Sequence, residues 1–149
     1  MNKVTPKALG FSFPAEWIRH EATWLTYPKQ NDSWPQRIEE VEKPYNQFIK
    51  AIASGEKVHI SVDNEAYERR ISNELDRIGC QMEQVFFHHF KSDDCWCRDH
   101  GPAFLLNKKG EKTIVKWEFN AWGEKYAAEN DNRIATQIAA YLNIVPFKP

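Results

Sequence analysis

Short β-like runs alternate with segments of helical periodicity along this chain, and that alternation limits the folds open to it. Residues 22–27 contain Thr, Trp and Tyr and end at Pro28, and every other position in residues 57–62 is apolar. A third run spans residues 82–88. Strands separated by helices are typical of the α/β class. We therefore predict an α/β fold.

The first predicted helix follows the first strand. Asp32 or Ser33 supplies its cap, Pro35 lies in its first turn, and Gly55 ends it. Pro44 falls inside it, and because proline removes a backbone donor and clashes with the preceding turn, we expect a kink there. Its buried face consists of Ile38, Val41, Tyr45, Phe48, Ile49 and Ile52.

Two further helices are predicted from caps and apolar stripes. Asp63 or Asn64 caps one of them, and Gly79 lies just past its end. Asn130 or Asp131 caps the other. The stripes consist of Tyr67, Ile71, Leu75 and Ile78 in the first and of Ile134, Ile138 and Tyr141 in the second.

A β-hairpin interrupts this alternation. Residues 103–106 and 113–119 are strand-like, and the loop 107–110 between them ends in Gly110, which tolerates a positive φ. A last strand is predicted to begin at residue 144. The fold is therefore not expected to be purely parallel.

Composition and charge exclude several classes of protein. A net charge of −1 provides no basic patch of the kind that nucleic-acid binders carry. No apolar run is long enough to span a membrane, and residues 1–13 lack the apolar segment of a secretory signal. The odd number of cysteines, 3, argues against a disulfide framework, so we expect a cytoplasmic location.

The segment Asp93–Pro102 holds the densest group of reactive side chains. It combines carboxylates, thiols, an indole, a guanidinium and an imidazole, and it closes with Gly-Pro. Loops held by a rigid scaffold are where binding and catalytic groups concentrate. We therefore predict a functional loop between the third strand and the hairpin.

Three interpretations of this loop are open from its residues. The first is a solvated acidic turn. The second is a metal site of Cys95, Cys97 and His100, in which an extended backbone would point both thiols to one face, although the spacing differs from that of structural zinc sites. The third is a pocket for a planar cation, with Asp99 as the ion-pair partner and Trp96 as a wall.

Three other residues have simple structural interpretations. His59 lies on the opposite side of its strand from the apolar residues, and we expect it to be exposed or hydrogen-bonded. Cys80 is expected to be a small buried hydrophobe. Arg98 is expected to turn outward and to orient neighbouring carboxylates.

Three motifs occur in order along the chain. The first lies within residues 13–28, the second is Trp96-x-Arg98-Asp99-x-Gly-Pro with two acidic residues ahead of it, and the third is Phe119–Gly123. Together they resemble the signature of the agmatine deiminase and bacterial peptidylarginine deiminase family. The resemblance covers essentially the whole chain but only the N-terminal part of such an enzyme.

The resemblance implies a fold that periodicity does not supply. Members of this family have the pentein fold, an α/β propeller of five ββαβ modules. Residues 1–149 would be the N-terminal part of one guanidine-deiminase domain, with about two of the five modules present. Because a partial propeller leaves strand edges and an apolar flank bare, we expect that face to favour homo-oligomers.

The resemblance also implies a reaction, the hydrolysis of a guanidinium group to a ureido group with loss of ammonia. Asp99 would be the catalytic carboxylate that pairs with the guanidinium, and Trp96 would form a pocket wall. Further substrate contacts would come from Asp94, Asn120 and Trp122. No metal or cofactor is implied.

The family's cysteine nucleophile and histidine general acid/base lie later in the chain than this loop. In this sequence no cysteine follows Cys97 and no histidine follows His100. Cys95 and Cys97 occupy positions that vary in the family, and nearby carboxylates would raise their pKa, so neither is assigned as the nucleophile. We expect the chain by itself to be inactive.

The substrate implied by the resemblance is a small cationic guanidine. Agmatine, free arginine and peptidyl arginine present the same head group, and the lack of a secretory signal favours cytosolic agmatine, with N-carbamoylputrescine and ammonia as products. Peptidyl-arginine deimination is one alternative. A non-enzymatic α/β module that binds metal or a partner is another.

Overall fold

The computed structural model describes residues 4–29 and 34–149. These residues form two compact units. The sheet unit is Arg19–Cys97, and the hairpin unit combines Arg98–Pro149 with the described residues of Met1–Ile18. No helix in the described ranges is long and apolar enough to cross a membrane.

The sheet unit contains a parallel three-stranded sheet and two long helices. Its elements in chain order are β1 (Ala22–Thr26), α1 (Ile38–Ala53), β2 (Lys57–Ser61), α2 (Glu65–Arg77) and β3 (Val85–His88). The strand order is β1-β2-β3, with Thr23 opposite Val58 and Val58 opposite Val85. Parallel strands joined through helices confirm the predicted α/β class.

Alternation along β2 sends side chains to two buried surroundings. Val58 and Ile60 are fully buried among the residues of the helices, whereas His59 and Ser61 lie on the opposite face and are also buried. Burial on both faces is usual for a parallel sheet. The core of this unit consists of Leu25, Tyr27, Ile49, Ala53, Val58, Ile60, Val62, Ile71, Leu75 and Cys80. The prediction that Cys80 is a buried hydrophobe is confirmed.

Helix α1 begins later than the sequence indicated. The predicted caps, Asp32 and Ser33, lie outside the described residues, and Pro35 precedes the helix and is not in its first turn. Gln36 has a φ of 59°, a left-handed conformation that a right-handed helix does not contain, so the helix starts only after it. Pro44 lies inside the continuous helix, and the kink there stays a prediction.

Helix α2 has the predicted ends. The side chain of Asn64 accepts a hydrogen bond from the amide of Tyr67 at 3.0 Å, which caps the helix. Gly79 follows the helix with a φ of 74°, a conformation that glycine adopts without steric cost. Ile71 and Leu75 are buried on its inner face. Local capping signals therefore located this helix.

The strand predicted over residues 82–88 is shorter in the structure. Residues Met82–Gln84 form a 3₁₀ turn, closed by a hydrogen bond from the Gln84 amide to the Gln81 carbonyl. Only Val85–His88 pairs with β2. The turn satisfies its backbone groups locally, so it does not join the sheet.

The hairpin unit is built on β4 (Ala103–Leu106) and β5 (Lys112–Val115), which pair antiparallel. Gly110 in the connecting loop has a φ of 79°, as predicted. The prediction that the second strand extends to residue 119 is wrong. Beyond Val115, the backbone of Phe119 forms hydrogen bonds with the side chain of Asn132 instead of with another strand.

The last helix, Asp131–Tyr141, differs in detail from its prediction. Asn130 occupies the predicted N-cap position, although its side chain makes no cap hydrogen bond, and Asp131 is a fully buried residue of the first turn. Ile134 and Ile138 are buried as predicted, but Tyr141 is 53% exposed. The strand predicted from residue 144 is reduced to a single bridge between Val115 and Phe147.

Candidate active site

The predicted functional loop leaves the sheet unit at the carboxyl end of β3. Asp93 and Asp94 are half-buried, and a single helical turn, α3 (Cys97–His100), follows them. The backbone is therefore not extended at this point, and the prediction that Cys95 and Cys97 project from one face of a strand is wrong. Binding loops of parallel α/β sheets lie at the carboxyl ends of their strands, as this loop does.

Trp96 forms part of an aromatic surface within the sheet unit. Its side chain is 41% exposed, and its ring centroid lies 6.1 Å from that of Trp34, with the two planes tilted by 35°. An indole held this way presents an apolar face to solvent. The arrangement is compatible with the predicted role of a pocket wall.

Asp94 has a local structural contact. Its Oδ1 atom accepts a hydrogen bond from the amide of Cys95 at 2.7 Å. Such a bond between a carboxylate and the next backbone amide restrains the turn. Asp94 therefore helps to shape the loop in which Trp96 lies.

Asp99 lies in α3, in the hairpin unit, with an exposed carboxylate. The neighbouring Arg98 turns outward as predicted, but its guanidinium pairs with Glu16 at 3.1 Å and not with a carboxylate of the loop. Both members of that pair are highly exposed, so it contributes little stability. Within the described ranges no hydrogen bond or ion pair engages the Asp99 carboxylate.

The thiols of the loop have buried surroundings. The pKa of Cys95 is raised to about 11, mainly by burial and in smaller part by the Asp94 carboxylate. Cys97 packs against the core of the sheet unit. A thiol with so high a pKa is protonated at neutral pH and is a poor nucleophile. The sequence analysis attributed a raised thiol pKa to the carboxylates and missed burial, which is the larger cause of the raised pKa of Cys95.

Trp122 lies on a strained turn, α4 (Ala121–Glu124), in the hairpin unit, and Asn120 directly precedes this turn. All of its residues have positive φ angles, of 48° at Ala121, 55° at Trp122, 83° at Gly123 and 61° at Glu124. Left-handed helical backbone is unfavourable for residues other than glycine, and such strain is common at functional sites. The side chain of Asn120 accepts a hydrogen bond from the Gly123 amide at 3.2 Å and closes the turn.

The strained turn presents Trp122 at the surface. Its ring meets those of Phe119 and Tyr126 edge to face, with centroid distances of 5.3 and 6.0 Å, and the side chain is 46% exposed. Edge-to-face contacts orient an indole without covering it. Among the predicted site residues, Asp94 and Trp96 thus belong to the sheet unit, and Asp99, Asn120 and Trp122 belong to the hairpin unit.

A buried histidine pair escaped the sequence analysis. Nδ1 of His59 lies 2.8 Å from Nε2 of His88, and the Trp24 indole stacks on both rings at centroid distances of 4.4 and 4.9 Å. Burial lowers the pKa of both histidines, and that of His88 to about 4. Of the two expectations for His59, exposed or hydrogen-bonded, the second is correct, because the side chain is buried and bonded to His88. Its partner belongs to another strand, so only the sheet register revealed it.

In residues 4–29 and 34–149, no three His, Cys, Asp or Glu side chains are grouped closely enough to hold a metal ion. The set Cys95, Cys97 and His100 is therefore not such a group.

Comparisons with known proteins agree with the motifs. The family model described as Porphyromonas-type peptidyl-arginine deiminase matches residues 12–149. The agmatine deiminase of Ectopseudomonas mendocina (strain ymp) is 37% identical over 120 residues, which are 80% of this chain and 31% of that protein. The agmatine deiminase of Pseudomonas fluorescens (strain SBW25) is 36% identical over 119 residues, with the same coverage of 80% and 31%.

The backbone is similar to solved deiminase structures. The agmatine deiminase of Enterococcus faecalis matches with a TM-score of 0.87 and 25% identity, over 100% of this chain and 40% of that chain. The fold is therefore of the pentein type and mixed α/β, as the resemblance implied. The chain belongs to the Porphyromonas-type peptidyl-arginine deiminase family. It spans 31% of the length of the two curated relatives described above.

Proposed function

We propose that this chain is part of a guanidine deiminase that hydrolyses agmatine to N-carbamoylputrescine and ammonia. The observation that carries the proposal is the Asp99 carboxylate, exposed in a loop whose Trp-x-Arg-Asp pattern resembles that of the family whose model matches this chain. Agmatine is preferred as substrate because the relatives at 36–37% identity are named agmatine deiminases. The cytoplasm is the proposed location, and supply of a putrescine precursor is the proposed role.

A guanidinium is a difficult substrate because its charge is delocalised and its central carbon is a weak electrophile. A carboxylate that accepts two parallel N–H bonds fixes the plane of the group and favours the charged form. Asp99 is proposed for this task. Trp96, and also Trp122, would pack against the apolar stem of the substrate, with Asp94 and Asn120 as additional polar contacts.

The covalent step needs a thiolate, and we propose that it comes from outside these 149 residues. Attack on the central carbon would expel ammonia, and water would then release the ureido product and regenerate the thiolate. Cys95 is protonated at neutral pH because burial raises its pKa to about 11. Cys80 is buried and its pKa is also raised by burial. The chain alone is therefore proposed to bind a guanidine without turning it over.

Peptidyl arginine is the second candidate substrate, because the matching family model carries that name. Its head group would make the same contact with Asp99. Citrulline in an arginine peptide, formed by a longer protein that contains this chain, would favour it over agmatine.

We also propose that the chain forms homo-oligomers through the apolar flank of a partial propeller. Light scattering of the purified chain tests this.

Binding of agmatine to the 149-residue chain tests the proposal directly. Calorimetry should show that Asp99→Asn binds agmatine more weakly, with a dissociation constant at least about tenfold higher, because one charged hydrogen-bond acceptor is lost. Asp76→Asn is the matched control, because Asp76 is also an exposed aspartate on a helix. Equal binding by Asp99→Asn and the unmodified chain would remove Asp99 from the site. Ammonia release from agmatine by the chain alone would refute the proposal that the nucleophile lies elsewhere.

A further inference from the structure

Lys29 and Asp63 meet where the strands of the parallel sheet end. The Lys29 ammonium lies 2.9 Å from Oδ2 and 3.1 Å from Oδ1 of Asp63. Asp63 comes directly after Val62, whose amide still donates to the carbonyl of His88 at 2.9 Å. The ion pair therefore lies at the carboxyl edge of the sheet, on the same side as the functional loop.

The same ion pair forms hydrogen bonds with the backbone of Ser92. The Lys29 ammonium donates to the Ser92 carbonyl, and the Ser92 amide donates to Oδ1 of Asp63 at 3.5 Å. Ser92 is 4% exposed. Both backbone groups of this buried residue are thus held by one ion pair, directly before Asp93.

The pair is not an ordinary surface salt bridge. The side chains of Lys29 and Asp63 are only 20% and 27% exposed, and they join segments 34 residues apart in sequence. Exposed ion pairs contribute little, but removal of one partner from a shielded pair leaves a charge and a backbone group without their contacts. Lys29 therefore restrains the chain path in a way that a surface charge does not.

The functional loop follows directly after the contact of Ser92 with Lys29 and Asp63. Two backbone hydrogen bonds near Ser92 are local: the Phe90 amide, before it, donates to the His88 carbonyl, and the Cys97 amide, after it, donates to the Cys95 carbonyl. Local turns of this kind do not set the position of a loop relative to a sheet. The contact of Ser92 with Lys29 and Asp63 joins the start of the loop to the sheet, in addition to the packing of Cys97 against the core.

We propose that Lys29 and Asp63 are positioning residues for guanidinium binding. They fix the entry of the loop at Ser92 and through it the placement of Asp94 and Trp96. This inference rests on the proposed function, because it assigns a role in the binding of the same substrate. Neither residue is proposed to touch the substrate.

The test compares Lys29→Met with Lys29→Arg and with a matched control, Lys50→Met, in the 149-residue chain. Methionine keeps an apolar stem without the charge. Lys50 is a suitable control because its ammonium also donates to a backbone carbonyl, that of Ile78 at 2.6 Å, from a part-buried position beside the helices. The readouts are hydrogen exchange of the amides of residues 92–97 and the agmatine dissociation constant, followed through the Trp96 indole NMR signal.

In Lys29→Met, the loop amides should exchange faster and agmatine should bind about tenfold more weakly. Lys29→Arg should restore most of both values, because a guanidinium also reaches two carboxylate oxygens. Lys50→Met should leave both unchanged.

Three results would overturn the inference. Unchanged loop exchange in Lys29→Met would show that the pair does not hold the loop. Faster exchange with unchanged agmatine affinity would show that the restraint has no bearing on binding. If the unmodified chain binds no agmatine, the proposed function fails first, and the inference fails with it.

Discussion

The carboxamide of Asn132 bonds both backbone groups of Phe119. Its Oδ1 accepts from the Phe119 amide at 2.9 Å, and its Nδ2 donates to the Phe119 carbonyl at 2.8 Å. These two hydrogen bonds have the pattern that a neighbouring β-strand would make with Phe119. They end at the residue before Asn120. It explains how the chain enters a left-handed turn without losing its backbone partners.

Asn132→Ala should destabilise the hairpin unit. Both backbone groups of Phe119 lose their partner in a half-buried position, so we expect the free energy of unfolding to fall by about 1–3 kcal/mol. Urea denaturation followed by circular dichroism measures it. Arg133→Ala, an exposed neighbour on the same helix, should change it much less. Equal effects of the two substitutions would mean that the Phe119 contact contributes nothing specific.

Glu124→Gly should stabilise the protein. Glu124 is exposed and has a φ of 61°, a conformation that glycine adopts without the steric cost of a β-carbon. We expect a gain of about 0.5–1 kcal/mol in the free energy of unfolding from the urea midpoint. Glu124→Ala keeps the β-carbon and should show no such gain. A loss of stability in Glu124→Gly would argue against strain in the turn.

The histidine pair should make stability depend on pH. Burial lowers the pKa of His88 to about 4, so the folded state keeps it neutral while the unfolded state takes up a proton below its ordinary pKa of about 6.5. The stabilisation is therefore complete above pH 6.5 and is lost as the pH falls toward 4, by up to about 3 kcal/mol.

Urea denaturation at several pH values between 7 and 4.5 measures this slope. His88→Phe keeps an aromatic ring in the stack and should flatten it. His89→Phe is the control, because His89 is the exposed neighbour in sequence and pairs with Glu68 on the surface. A slope that survives in His88→Phe but disappears in His89→Phe would assign the pH dependence to the surface pair.

Cys95 should react slowly with iodoacetamide. Because its pKa is raised to about 11, only a small fraction is thiolate at pH 8, and we expect alkylation roughly ten- to a hundredfold slower than that of a free thiol such as glutathione. Mass spectrometry of the modified peptide gives the rate. Alkylation at the rate of glutathione would show that the thiol is not shielded, and would reopen the question of a reactive cysteine in this loop.

Several elements were predictable because their signals are local. The Asn64 cap, the apolar stripe of α2 and Gly79 lie within one helix length, and β4 with Gly110 forms a hairpin between near neighbours. The motif residues Trp96 and Asp99 were also recognisable from the order of residue types, although their role in binding stays a proposal.

The sequence by itself determined the α/β class, the main strands and helices and the family, since periodicity, caps and motifs are read along the chain. Tertiary structure alone decided the end of β5 at Val115, the burial that raises the pKa of Cys95, and the partner of His59. It also decided the contact of Lys29 with Ser92, residues 63 positions apart. These features depend on which distant segments meet, and desolvation and long-range hydrogen bonds arise only when they do.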